Sequence, residues 1–283
     1  MYYLIHQQSS NSREIPNLNF LHQIADECFR GEYITIITDN SLQYSQTIHN
    51  IIYLPCNNEF REFSGWQSGI FYLENNIGIQ NISGLLFSNE TLLKHRPFDS
   101  AKKRAMIESI KYSMSLPNPI MAGDIDLIRC QGPYHYPAID SFYVSTYFCF
   151  MNKAATKYLD IYRPDFELFK ILNPTPNDKS VMIEEKRSRA PNHYQFIEEW
   201  LYKKHTGPKW YAHERLSKEN YQKMSIKFLS IIIEHGISQK FTTLGGRIID
   251  YNQFIQRSAL EKLVFFLKRI RYSLGWRIHR ILG

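Results

Sequence analysis

No apolar run in the 283-residue chain is long enough to cross a bilayer, so nothing in it reads as a membrane-spanning helix. Cysteine is scarce. Cys28, Cys56, Cys130 and Cys149 are widely separated, with no Cys-x-x-Cys pair and no histidine at zinc spacing. That argues against a zinc ribbon or a disulfide-stapled scaffold and leaves reduced, mostly buried thiols, as expected of a cytoplasmic chain. The opening, Met1 to Gln7, is too short and lacks the basic flank of a signal peptide. A Walker loop, Gly-x-Gly-x-x-Gly, Gly-x-Ser-x-Gly and His-Glu-x-x-His are all missing, so ATPases, dinucleotide enzymes, serine hydrolases and zincins lose support. The first two thirds hold no dense basic cluster and no nucleic-acid reader motif, so nucleic-acid binding has only net charge behind it.

What is present is ordinary in bulk and unusual in its aromatics. Apolar residues make up 43% and charged residues 22%, enough for a sizeable core. Nineteen Tyr and eighteen Phe supply flat surfaces of the kind that stack on sugars or bases. A formal charge of +7 favours acidic partners such as nucleotide phosphates or anionic lipid heads.

The hydrophobic pattern opens as an apolar strand over 2–6, a helix over 20–30 stopped by Gly31, and β-branched strands over 33–38 and 50–54. This β-α-β-β order predicts a parallel sheet with crossovers. The segment 57–73 is polar and glycine-broken in its first half, and its second half starts a helix. Residues 84–89 form the next strand, a basic loop at 94–104 enters a helix to Met114, and 120–128 and 141–151 are further strands. Helices are predicted over 152–162, 165–172, 194–203 and 218–235, the last stopped by Gly236. A glycine-containing turn or short strand follows at 240–250.

The stretch Gly84-Leu85-Leu86-Phe87-Ser88-Asn89-Glu90-Thr91 carries the most information. Four buriable residues give way at once to four small or polar ones, as where a central strand leaves an α/β sheet. Ligands gather outside the carboxyl ends of such strands. Asp124 and Asp126 form the chain's only Asp-x-Asp pair and could share one Mn²⁺ or Mg²⁺ and, through it, a diphosphate. His135 and Asp140 share one loop and could serve as base and orienting group. Arg61 stands between Glu59 and Glu62, a setting suited to gripping phosphate. Glu198, next to Glu199 on an amphipathic helix, could lean toward the apolar face and gain proton affinity. The terminal segment 258–283 repeats Leu260, Leu263, Leu267, Ile270, Leu274, Ile278 and Ile281 at helical spacing, with Lys268, Arg269, Arg271, Arg277 and Arg280 interleaved. Such a helix can lie on an anionic membrane, dock on its own core or form a dimer contact.

Three of these segments, taken in order, resemble bacterial polysaccharide glycosyltransferases of the rhamnan-synthesis type. Asn58-Glu59-Phe60-Arg61-Glu62-Phe63-Ser64-Gly65-Trp66-Gln67-Ser68-Gly69 is similar to their Asn-x-x-Arg-Asp/Glu-x-x-x-Trp/Tyr-x-x-Gly segment. The strand ending in Asn89-Glu90-Thr91 is similar to theirs ending in Asn-Asp-Ser/Thr, with Glu90 where an Asp is usual. Ser145-Thr146-Tyr147-Phe148 lies where they carry a Ser/Thr-Tyr-Phe strand, with Ile139-Asp140 near the place of a histidine and His135 upstream. The resemblance spans residues 50–160. It implies an α/β fold with a GT-A-like mixed, mostly parallel sheet flanked by helices: a catalytic domain over 1–257, its sheet core in 1–160 and a helical part in 161–257, then the basic helix 258–283.

It further implies transfer of a sugar from a nucleotide-sugar donor to a glycan acceptor, lipid-linked, in the assembly of lipopolysaccharide, capsule or exopolysaccharide at the inner face of the membrane. On that reading His6, Gln7 and Asp39 face the nucleotide, and Arg61 the phosphates. Asn89, Glu90 and Thr91 meet the ribose, diphosphate or metal, and Tyr143 and Tyr147 the acceptor. Asp140, His135 or Glu198 is the base, and a divalent cation, held by Glu90 or by Asp124 and Asp126, is an allowed cofactor. The competing expectation is a non-catalytic scaffold on the membrane surface within a glycan-assembly complex.

Overall fold

The computed structural model of the protein describes residues 1–8, 17–57, 61–93, 99–127, 142–163 and 221–256. Its strands are β1 (Tyr2–Gln8), β2 (Tyr33–Asp39), β3 (Gln46–Ile48), β4 (Ile51–Pro55), β5 (Gly84–Asn89), β6 (Ile120–Leu127), β7 (Phe142–Asn152) and β8 (Arg247–Asp250). The helices are α1 (Leu18–Phe29), α2 (Glu62–Asn76), α3 (Ser100–Ser115) and α4 (Tyr221–Thr243), with a 3₁₀ segment at Lys153–Tyr162.

These strands form one mixed sheet of eight in the order β3-β4-β2-β1-β5-β7-β6-β8. β4, β2, β1 and β5 are mutually parallel, β7 runs antiparallel to β5 and β6, and β8 pairs parallel with β6. The fold is thus α/β. From β1 the chain builds outward through α1 to β2 and β4, then returns over α2 to place β5 on the other side of β1. β1 is therefore the strand at which the order reverses, and its carboxyl end opens a crevice.

Buried strands need apolar residues on both faces. Tyr3, Ile5, Ile36, Leu85 and Phe87 pack with Phe63, Trp66, Ile70 and Leu73 of α2 and with Ile233, Ile237 and Phe241 of α4. Leu4, Leu86, Phe148 and Phe150 pack on the opposite face with Leu21 and Ile24 of α1 and with Met106 and Ile110 of α3. Trp66 is fully buried, and its Nε1 donates to the carbonyl of Ser88 at 3.0 Å, pinning α2 to the carboxyl end of β5.

Two helix boundaries differ from the sequence pattern for identifiable reasons. The first half of 57–73, read as polar and glycine-broken, already enters α2, and Gly65 and Gly69 both lie inside that helix. A Cβ at Gly65 would overlap Gln7 and Thr38, and one at Gly69 would stand 2.8 Å from Ile5 Cγ2, so both mark the close approach of helix to sheet. Gly236 does not stop α4, which continues to Thr243 because Ile237 and Phe241 extend its buried stripe. The stop is Gly245, at φ +85, where its own amide and that of Gly246 cap the last turn through Thr242 O and Phe241 O. The short strand β3 was not expected, and β8 is the short strand that the segment 240–250 allowed.

Candidate functional site at the carboxyl edge of the sheet

The ends of β1, β2 and β5 turn polar together. His6, Gln7 and Gln8 close β1, Thr38 and Asp39 close β2, and Ser88 and Asn89 close β5, all buried. The register sets them side by side, with His6 beside Ser88 and Gln7 between Thr38 and Asn89. Polar residues at such positions cost folding energy unless they are bonded or serve a ligand.

Some are bonded. Gln8 Nε2 donates to Asp39 Oδ2 at 2.8 Å, and Ser41 donates to Asp39 Oδ1 through both its amide and its hydroxyl, at 2.8 and 2.7 Å. Asn89 is committed on both ends of its amide. Its Oδ1 accepts from the amide and hydroxyl of Thr91 at 3.0 and 2.6 Å, and its Nδ2 donates to Thr146 O at 3.3 Å. Asn89 thus shapes the turn after β5, and Asn17 Nδ2 holds that turn from outside by donating to Glu90 O at 2.9 Å.

Others are not. Among the described residues, His6 Nε2 and Arg61 Nε are buried atoms with no hydrogen-bond partner and Thr38 Oγ1 has none but the Cys56 thiol; all three lie at this edge. The ring of His6 is fully buried, and its Nδ1 lies 3.4 Å from Ser88 Oγ. Burial, with His22 nearby, lowers its proton affinity to about 4, so it is neutral. Thr38 has the Cys56 thiol as its polar neighbour. That thiol is pushed up to about 11 by burial and by the charge of Asp39. Arg61 stands just before the first turn of α2 with φ 53 and ψ −130, a backbone region that residues with a Cβ rarely occupy. Its guanidinium is half-buried, and burial lowers its pKa against the pull of Glu62.

On the α2 and α4 side, this edge continues into charged groups. Lys227 and Glu234 lie seven apart on α4 and so share a face. Thr146 of β7 donates its amide to Glu234 Oε1 at 2.9 Å, and its hydroxyl lies 3.0 Å from the same oxygen and 3.2 Å from Glu62 Oε1. Burial first, and then the charge of Glu62, raises Glu234 to about 7. Lys227 feels Glu62, Arg61 and Glu234 together, and burial is the main cause of its lowered pKa. This side of the edge thus brings together the half-buried Arg61 and Lys227, the acids Glu62 and Glu234, and the Thr146 hydroxyl. Sequence reading singled out Arg61 but neither Thr146 nor Glu234, because 88 residues separate those two.

The remaining expected site residues are placed elsewhere or differently. Tyr143 stacks on His235 of α4, ring centroids 4.4 Å apart. The hydroxyl of Tyr147 bonds to Asp124 Oδ2 and lies 3.1 Å from the Tyr251 hydroxyl. Asp124, 2% exposed, also accepts from Asn252 Nδ2 at 2.6 Å, and Asp126 accepts from Ser145 Oγ at 2.6 Å. β7 bulges here. From Gly123 to Ile125 on β6, its partners run from Cys149 to Val144, and the extra residues bring Ser145 and Tyr147 to the two aspartates. With β7 lying between β5 and β6, Glu90 does not join them, and among the described residues no three acids, histidines or cysteines are grouped to hold a metal ion. Asp124 and Asp126 are instead engaged by hydroxyl and amide donors of the protein itself. His135, Asp140 and Glu198 lie outside the described residues.

A groove of about 940 Å³ opens at the opposite edge, between Tyr2, Ser83, Leu116 and Lys153, and none of His6, Thr38 and Arg61 lines it. No described helix is long and apolar enough to cross a membrane. Comparison of the chain with protein-family models, with curated proteins and with solved structures finds no match.

Proposed function

We propose that the protein is a GT-A-like glycosyltransferase that moves a sugar from a nucleotide-sugar donor to a glycan acceptor, lipid-linked, in bacterial surface-polysaccharide synthesis. The observation that carries this reading is the convergence of buried polar atoms of His6, Thr38 and Arg61, two of them without a partner among the described residues, at the strand edge where α/β sheets take nucleotides. The sheet supports it at the level of fold class, being mixed and mostly parallel with helices on its faces, as the resemblance implies.

In this reading the nucleotide lies over the ends of β1 and β2, against His6, Gln7 and the Asp39 carboxylate that Gln8 and Ser41 hold in place. Arg61 and Lys227 face the diphosphate and stabilise its charge as the glycosidic bond to phosphate breaks. No step is routed through a metal. The basic segment 258–283 would hold the enzyme at the inner face of the membrane.

Purified protein mixed with UDP-, GDP-, CMP- and dTDP-sugars tests the reading by thermal shift and by sugar-nucleotide hydrolysis. At least one donor is expected to stabilise the fold and turn over. If none does, with or without Mn²⁺, the reading fails. Arg61→Ala is expected to weaken that donor at least about tenfold, or ~1.4 kcal/mol.

One observation favours the alternative, a non-catalytic scaffold of a glycan-assembly complex. Asn89, Asp124 and Asp126 all spend their side chains on the protein's own turns and strands. Cells carrying stable Arg61→Ala protein discriminate between the two: unchanged surface glycan supports the scaffold, and lost glycan supports the enzyme.

A further inference from the structure

The pair Glu62 and Glu234 is not among the groups that would hold the donor. Both carboxyls reach one hydroxyl, Thr146 Oγ1, at 3.2 and 3.0 Å. A hydroxyl has a single hydrogen, so it can donate to only one of them. With both acids ionised, the second contact would set lone pair against lone pair. One proton resolves this: Oγ1 donates to one carboxylate and accepts from the other, protonated carboxyl. The trio is therefore built to hold one proton, and the Thr146 amide, fixed on Glu234 Oε1 at 2.9 Å, keeps that carboxyl in place.

Its location gives the proton a use. Thr146 follows directly on the end of β5 in space, since Asn89 Nδ2 donates to its carbonyl. Arg61 precedes Glu62 in the chain, with its Nε buried and unpartnered. Thr38 Oγ1, fully buried beside the Cys56 thiol, lies against Gly65, one turn further along α2. A site for an anionic donor and a carboxyl that exchanges protons thus meet at one strand edge. As a residue Glu234 keeps part of its surface exposed, while its carboxyl sits in the buried surroundings that raise its proton affinity.

Resting on the glycosyltransferase reading, we infer that Glu234 is the base that takes the proton of the acceptor hydroxyl, with Glu62 coupled to it through the Thr146 hydroxyl. In the step, the acceptor oxygen forms its bond to the anomeric carbon while that carbon's bond to the phosphate oxygen breaks. The bonding pair leaves with the nucleoside diphosphate, and the acceptor proton passes to the Glu234 carboxylate. The charged groups facing Glu234 are Glu62 of α2 and Lys227 of α4, with Arg61 acting on Lys227. Because Glu234 sits at about 7, its working, ionised form grows in as pH rises through neutrality.

The alternative is a carboxyl pair that only fastens α4 to β7. Full-length wild type, Glu234→Gln and Glu62→Gln, each assayed from acid to mildly alkaline pH with the donor found by thermal shift, decide between them. Turnover is read by donor hydrolysis, in which water takes the place of the acceptor, and nucleoside-diphosphate affinity by calorimetry. Glu234→Gln, which keeps the oxygen that Thr146 holds, is expected to bind within about threefold of wild type and to lose at least about 100-fold in turnover. Glu62→Gln is expected to move the acid limb of the rate profile to lower pH. Should Glu234→Gln fail to fold, the Glu62→Gln profile decides alone. Turnover of Glu234→Gln within tenfold of wild type, or an unmoved limb in Glu62→Gln, overturns the assignment while leaving the enzyme reading intact. A wild type that neither binds nor hydrolyses any nucleotide sugar overturns the enzyme reading itself, and the base with it.

Discussion

At the scale of single residues, the stability of this fold rests on a few polar side chains that replace missing backbone partners. Asn152 is the clearest. Its Oδ1 accepts from the amides of Ile120 and Ala155, and the two hydrogens of its Nδ2 are shared among the carbonyls of Ser113, Leu116 and Asn118, all within 3.1 Å. One buried amide thereby joins α3, β6, β7 and the 3₁₀ segment. Asn152→Ala should cost about 2–4 kcal/mol in urea unfolding, and Asn152→Asp should cost a comparable amount because it removes the donor. His6 and Glu234 make opposing contributions to the pH dependence of stability. Folded His6, lowered to about 4 from 6.5, refuses a proton that the unfolded chain accepts, so stability falls as pH drops from 6.5 to 4, by about 3 kcal/mol at full extent. Folded Glu234, raised from 4.5 to about 7, keeps a proton that the unfolded chain releases, so stability falls as pH rises through that window. Where the windows overlap, the two slopes offset each other. Unfolding free energy of Glu234→Gln should therefore rise with pH between 4.5 and 6.5 more steeply than that of wild type, and equal slopes would contradict the burial of this acid.

Among the elements, the helices are informative through their glycines. Gly236 sits inside α4 with nothing within 4 Å of a would-be Cβ, whereas the Cβ positions of Gly65 and Gly69 run into β1 and β2. Gly236→Ala should stabilise the protein by about 0.5–1 kcal/mol, through helix propensity alone. Gly69→Ala should destabilise it by about 1–3 kcal/mol, because Ile5 has no room to yield. Thermal melts of the two variants should shift in opposite directions. The pattern 84–91 located β5 to its last residue, since a strand buried on both faces shows as a continuous apolar run. It did not reveal that Asn89 would bond to Thr91 and Thr146, because a turn-forming asparagine and a ligand-binding one have the same letter. The extent of α4 was misjudged for a related reason: a glycine stops a helix only where the backbone turns left-handed, as at Gly245 and not at Gly236.

For the whole molecule, the formal charge of +7 and the basic segment 258–283 bear on where the protein works. Deleting 258–283 should release it from liposomes containing anionic lipid in a sedimentation assay, and persistent binding would assign membrane attachment elsewhere. The sequence by itself determined the alternation of strands and helices over the first half of the chain and the polar ends of β1, β2 and β5. Those follow from local periodicity and from where apolar runs stop. Only tertiary structure decided that β7 enters between β5 and β6, because strand order depends on which buried faces fit, and no local pattern encodes it. It likewise decided that Asp124 and Asp126 answer to Tyr147 and Ser145, and that Glu62 and Glu234 meet at Thr146. The proton affinity of Glu234 arises from that meeting: burial and a second carboxylate act over ångströms in space, between residues far apart in the chain.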